Sequence, residues 1–151
     1  MSIQRRKALR AAVQLAVASV FGGRIGRVSA DAEETQAAID VFTDGVVPAR
    51  GAVTLTLPEI AENGNTVSMS VSVESPMTED AYVESVTVLA EDNPNPEVVT
   101  FHFSPSSGVA RASTRMRLAK TQKVIAVARM NDGSVYTDSR IVKVTIGGCG
   151  G

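Results

Sequence analysis

The sequence predicts a mainly β domain, an immunoglobulin-like antiparallel sandwich of about seven strands. Three observations predict it. From residue 53 onward the apolar residues recur with period two rather than 3.6. Turn residues interrupt that alternation every 8–14 positions. The chain has 151 residues, which suits a single core. Aromatic residues make up only 4% and Trp is absent, so Val, Ala, Leu, Ile and Met must fill that core.

The elements follow in order. Residues 32–42, AEETQAAIDVF, are helix formers with Glu33 and Glu34 early, where the helix dipole favours acids. Ala38, Ile39 and Phe42 share one face. Val53, Leu55 and Leu57 alternate with Thr54 and Thr56 until Pro58 ends the run. Val67, Met69, Val71 and Val73 alternate with Ser68, Ser70 and Ser72, a strand buried on one side. The turn between these two strands is assigned to Glu62-Asn63-Gly64-Asn65. Residues 82–90 form the next strand, and Asn93-Pro94-Asn95-Pro96 then permits neither helix nor ladder. Val99, Phe101 and Phe103 face opposite to Thr100 and His102. After a turn at 104–108, Ala112, Thr114, Met116 and Leu118 oppose Arg111, Ser113, Arg115 and Arg117. Residues 122–130 are a more continuous apolar run, hence a central strand. Its low polarity also suggests a surface that a partner helps to cover. Asn131-Asp132-Gly133 turns the chain into the last strand, 134–146.

Charge divides the chain. Residues 1–30 hold six basic residues and no acid; the rest holds nine basic against sixteen acidic, a balance of −7. Such a domain is no nucleic-acid binder by bulk charge. Residues 98–151 nevertheless carry eight bases and two acids, which either pair with the acidic residues 31–97 across the fold or attract small anions or an acidic face.

Residues 1–30 read as an export signal rather than as structure. A basic start, MSIQRRKALR, precedes a short apolar stretch, and Val28-Ser29-Ala30 offers small residues before a mature start near Asp31. Arg5 and Arg6 give the start a twin-arginine character. Ala8 and Gln4 depart from that pattern, where Phe and Ser are usual. The apolar stretch is too short for a permanent span, so no membrane anchoring is expected. The expected location is the periplasm, reached in the folded state. The domain proper then covers 31–146.

Residues 147–151 carry the chemistry. Gly147-Gly148-Cys149-Gly150-Gly151 surrounds the chain's single cysteine with four glycines. Glycine has no side chain to pack and loses the most entropy on ordering, so this segment is expected to leave the sandwich as a narrow arm. Three extended residues reach about 10 Å, enough to carry a thiol into a cleft. No base adjoins Cys149, so it reads as a handle acted on by other proteins rather than as a catalytic nucleophile. Three uses remain open on this pattern: a substrate-carrying arm, an intermolecular disulfide staple, and a lipid site. The lipid site fits badly, because a prenylation box places Cys fourth from the end and here it is third. The terminal Gly-Gly is shared by cytosolic ubiquitin-like sulfur carriers, against which the export signal argues.

Other sites are thin. His102 is the only histidine, so no Cys-His pair or histidine-rich metal site forms without it, and no metal or cofactor is expected. Met69 and Met116 fall on core faces. Arg111, Arg115 and Arg117 form a basic stripe, either a charged edge guarding against aggregation or a docking and anion-attracting surface near the arm.

The signal, the small β domain and the Gly-Gly-Cys-Gly-Gly terminus together resemble the SoxY family, the carrier half of the SoxYZ complex of bacterial thiosulfate oxidation. Leu57-Pro58-Glu59-Ile60-Ala61-Glu62-Asn63-Gly64, Glu74-Ser75-Pro76-Met77, Asn93-Pro94-Asn95-Pro96, Phe101-His102-Phe103 and Val142-Lys143-Val144-Thr145-Ile146 agree with it. The resemblance implies that Cys149 holds thiosulfate-derived intermediates for other enzymes and that the chain is itself no enzyme. It implies a SoxZ-type β-sandwich partner in a heterodimer. It also implies transient docking to a haem-containing SoxAX enzyme, a SoxB hydrolase and a SoxCD dehydrogenase. The alternative from another class is an exported structural sandwich that dimerises through Cys149.

Overall fold

The computed structural model describes residues 30–147. It begins with helix α1, Ala30–Thr43. Nine strands follow: β1 Ala49–Arg50, β2 Val53–Thr56, β3 Ile60–Ala61, β4 Val67–Val73, β5 Val83–Ala90, β6 Glu97–His102, β7 Ala110–Met116, β8 Gln122–Met130 and β9 Val135–Val144. Two sheets result. The larger has the order β1-β9-β8-β5-β6 with β3 also on β9; the smaller has the order β2-β4-β7. The seven longer strands are those expected from the sequence. The other two, β1 and β3, have two residues each, too few to show a period, and both pair with β9 in parallel.

Alternation is translated directly into burial. In β4, Val67, Met69, Val71 and Val73 are buried while the serines between them are not. These side chains meet Val86, Val88, Val124, Ala126, Ala128 and Val142 of the larger sheet in the main core. On that sheet's other face, Leu89, Ile125, Val127 and Val135 form a second cluster with Ile39, against which Ala38 and Phe42 of α1 pack. Strands β5 and β8 are therefore buried on both faces along most of their length, which is why residues 124–128 of β8 run continuously apolar, while β5 buries Ser85 and Thr87 along with its apolar residues.

This arrangement corrects the expectation that strand 122–130 presents a surface to a partner. It lies between β5 and β9, and its two faces are covered by the smaller sheet and by α1 within the same chain. The turn at 62–65 is also not a simple connection. The chain from 57 to 66 crosses to the larger sheet, lays β3 along β9, and only then returns to β4.

Side chains close the remaining gaps. The Leu55 amide at the edge of the smaller sheet donates to Asp138 Oδ2 at 2.9 Å, tying β2 to β9. Arg129 pairs with Asp44 at 2.8 Å and donates to the Phe42 carbonyl at 3.4 Å, anchoring the end of α1 to β8. The β8–β9 hairpin turns at Gly133, whose φ of 84° a side chain would oppose. Asp132 accepts from the Ser134 amide and hydroxyl there, and these bonds hold its carboxyl below the usual range.

Candidate carrier-arm root

The last strand delivers the glycine segment to one end of the sandwich. Beyond Val144 the chain stays attached. Lys143 and Thr145 amides donate to the Glu59 and Ala61 carbonyls at 2.9 and 3.1 Å. The Ile146 carbonyl accepts from the Gly64 amide at 2.8 Å. Gly64 in turn accepts from the Leu118 amide at 2.8 Å. Three distant segments, 59–64, 117–119 and 143–146, thus meet at the residue before Gly147.

Gly147 itself lies against the backbone of Ala119. A Cβ built on it would fall on the Ala119 carbonyl oxygen, closer than real Cβ contacts come, with the carbonyl carbon 3.5 Å away. A backbone carbonyl cannot swing aside like a side chain, so this position requires glycine for packing as well as for freedom.

The Ala119 loop is held from behind by Asn93. Its Oδ1 accepts from the Ala119 amide at 3.1 Å and from Gln122 Nε2 at 2.9 Å, and its Nδ2 donates to the Arg117 carbonyl at 2.8 Å. Gln122, buried within β8, adds a bond to the Lys120 carbonyl at 3.2 Å and accepts from the Asp92 amide at 2.9 Å. Lys120 pairs with Asp92 at 3.1 Å. Composition marks Asn93-Pro94-Asn95-Pro96 as a breaker, and the family resemblance includes it, but neither points to this structural role. The signal was present in the side chain, since Asn carries both a donor and two acceptor positions while Pro carries neither.

Cys149, with Gly148, Gly150 and Gly151, lies outside the described residues, as do Arg5 and Arg6 and the rest of the expected export signal up to residue 29. Of the basic stripe, Arg111 and Arg115 lie on β7, an edge strand, with exposed side chains, and Arg117 follows it, also exposed. None of the three joins an ion pair among the described residues. Arg115 borders a shallow groove of about 670 Å³ on the outer face of the smaller sheet, together with Thr56, Leu57, Ser68 and Ser113. Arg117 belongs to the loop on which Gly147 rests. The stripe therefore runs toward the arm root. Two apolar side chains, Ile60 and Ile146, stand 57% and 68% exposed at the same end.

Met69 and Met116 are buried in the main core, and His102 is exposed on β6. No group of three His, Cys, Asp or Glu that could hold a metal occurs among the described residues. No helix among them is long and apolar enough to cross a membrane.

Comparison with known proteins bears on this geometry. The family model described as sulfur oxidation protein SoxY matches residues 38–149, from within α1 to the cysteine. No curated protein sequence matches the chain. Among solved structures, the sulfur carrier protein SoxY from Chlorobium limicola f thiosulfatophilum is 32% identical over 76% of this chain and 99% of its own, with a TM-score of 0.62. A superoxide reductase (neelaredoxin) from Ignicoccus hospitalis is 18% identical over 64% of this chain and 82% of its own, with a TM-score of 0.56. A protein described as a putative superoxide reductase, from Thermotoga maritima, gives 18%, 68%, 89% and 0.53 in the same order. The two reductases share the fold alone. The match that runs through the core, the arm root and the cysteine decides the family: this chain belongs to the sulfur oxidation proteins of the SoxY type.

Proposed function

We propose that this chain carries sulfur substrates covalently on Cys149 during sulfur oxidation, with thiosulfate as the entering substrate. The observation that carries the reading is the family match, which extends to Cys149, the only thiol the chain has. Loading joins the thiol sulfur to the outer sulfur of thiosulfate. That step releases one proton and two electrons, so a redox enzyme must accept the pair; the SoxAX haem protein is the acceptor the family resemblance implies. Hydrolysis then adds water, releases sulfate and leaves a persulfide on Cys149, a step suited to SoxB. A SoxCD-type dehydrogenase would take the persulfide sulfur further. In each step the catalysis belongs to the visiting enzyme.

Arg111, Arg115 and Arg117 fit this role as a docking surface. Among the described residues they join no ion pair, and they lead toward Gly147, where Ile60 and Ile146 add apolar contact area. Intact-mass measurement on protein from thiosulfate-grown cells tests the carrier reading. Thiosulfate-derived and persulfide adducts on Cys149 are the expected species. A population consisting only of Cys149-linked homodimer would instead support the structural alternative.

We assign the chain to the periplasm through the twin-arginine route, on Arg5, Arg6 and Val28-Ser29-Ala30. Replacing both arginines with Lys should leave full-length precursor in the cytoplasm. Fractionation and immunoblotting check this, and normal export of the double variant defeats the assignment.

The working form we propose is a heterodimer with a SoxZ-type β-sandwich. With the apolar strand β8 covered internally, the support is family membership and the exposed apolar side chains Val41, Val47 and Ile141 around α1 and β9. Native extracts should yield the chain with a second small β-protein at equal stoichiometry. A monomer at micromolar concentration in such an extract refutes the heterodimer.

A further inference from the structure

Resting on the carrier reading, we infer that Asn93 is a positioning residue for the arm: by holding the Ala119 carbonyl as a seat for Gly147, it sets the direction in which the cysteine leaves the fold.

Four observations carry this. Gly147 touches one backbone group closely, the Ala119 carbonyl, and has no room there for a methyl. The loop bearing that carbonyl spans 117–121 between β7 and β8 and belongs to neither ladder. Asn93 satisfies the Ala119 amide and the Arg117 carbonyl in that loop, at 3.1 and 2.8 Å. Asn93 is itself fixed by Gln122, a buried side chain of the central strand β8. A continuous path of hydrogen bonds and contact therefore runs from the rigid sheet through Gln122, Asn93 and Ala119 to the first glycine of the arm.

Direction matters because the arm is short. Cys149 is two residues beyond Gly147, so its Cα stays within about 7 Å of the Gly147 Cα. A tether of that length cannot compensate for a wrong exit angle by reaching further. Turning the chain at Gly147 moves the thiol by several ångströms, and misplacement of about 1 Å can cost about a hundredfold where reacting groups must meet. A small reagent in free solution approaches the thiol from any side and is indifferent to that angle. An enzyme cleft that must accept the arm while the sandwich docks against its rim is not.

The two kinds of probe separate positioning from stability. Asn93→Ala, Gly147→Ala and their double variant would be prepared as full-length mature chain. Cys149 would be loaded with thiosulfate by the periplasmic fraction of thiosulfate-oxidising cells and followed by intact mass. The same proteins would be alkylated with iodoacetamide. Asn93→Ala should slow enzymatic loading about tenfold or more while leaving the alkylation rate within about twofold. Gly147→Ala should do the same, and the double variant should lose little beyond either single change, because both disturb one seat. Asn93→Asp keeps the acceptor for Ala119 and Gln122 and replaces the donor to the Arg117 carbonyl with a carboxylate oxygen that this carbonyl repels. It should recover part of the loading rate, and it serves as the variant of record if Asn93→Ala does not fold. Wild-type loading by Asn93→Ala or by Asn93→Asp, losses that multiply independently in the double variant, or an equal loss toward iodoacetamide would each overturn the inference. A wild-type chain that takes up no sulfur overturns the carrier reading, and the inference with it.

Discussion

Cys149→Ser should abolish thiosulfate-dependent turnover while leaving the domain as stable as the wild type. The expected loss is complete rather than partial because the chain has one thiol and no second site to take its place. A serine hydroxyl cannot form the sulfur–sulfur bond on which loading and every later step depend. Stability is expected not to change, because the glycines on either side of Cys149 give it no neighbouring side chains to pack with; a substitution away from packed or charged features typically shifts stability by less than about 0.5 kcal/mol. Oxygen uptake or cytochrome reduction in a reconstituted system reads the first effect, and a urea melt reads the second. Residual turnover above the enzyme-only background would show that another group carries the sulfur. A large loss of stability would show that the terminal segment belongs to the fold.

The strands were legible in the sequence wherever one face is buried, because the buried face repeats every second residue. Val67, Met69, Val71 and Val73 are the clearest case. Strand β8 was legible in its boundaries, 122–130, and misread in its surroundings. An apolar run shows that both faces are covered, and it does not say by what; here both covers come from the same chain. Strands β1 and β3 left no trace in the pattern, since two residues fixed by pairing to β9 have no periodicity to display. The glycines around Cys149 were conspicuous in the sequence as residues without side chains to pack, a pattern that beyond Gly147 lies outside the described residues. The seat beneath Gly147 was not legible. It is assembled from Asn93, Ala119 and Gln122, residues that are separated along the chain and unremarkable one at a time. Three of the five stretches that agree with the family, Leu57–Gly64, Asn93–Pro96 and Val142–Ile146, converge at this end of the sandwich. That convergence gives them a shared physical reason.

Replacing Gly148 and Gly150 with Val should slow every step in which the arm enters an enzyme cleft, without unfolding the sandwich. Valine adds a branched side chain on each side of the cysteine and so widens the segment. It also restricts backbone angles that glycine leaves open, which limits the paths by which the thiol can turn into a cleft. If each residue costs about one factor of ten through misplacement of the reacting sulfur, the pair should reduce turnover by about a hundredfold. The thiol itself is untouched, so its titre with a small reagent should stay normal, and the urea midpoint should match the wild type. A disulfide staple responds differently: a thiol on a bulkier tail still pairs with its twin, so the Val variant should dimerise under oxidising conditions as the wild type does. The comparison therefore needs three readings on one preparation, namely thiol titre, dimer fraction and thiosulfate-dependent turnover. Normal titre with depressed turnover identifies the slender arm as the working part. Undiminished turnover at normal titre would mean that width around Cys149 is not limiting, and the glycines would need a reason other than access.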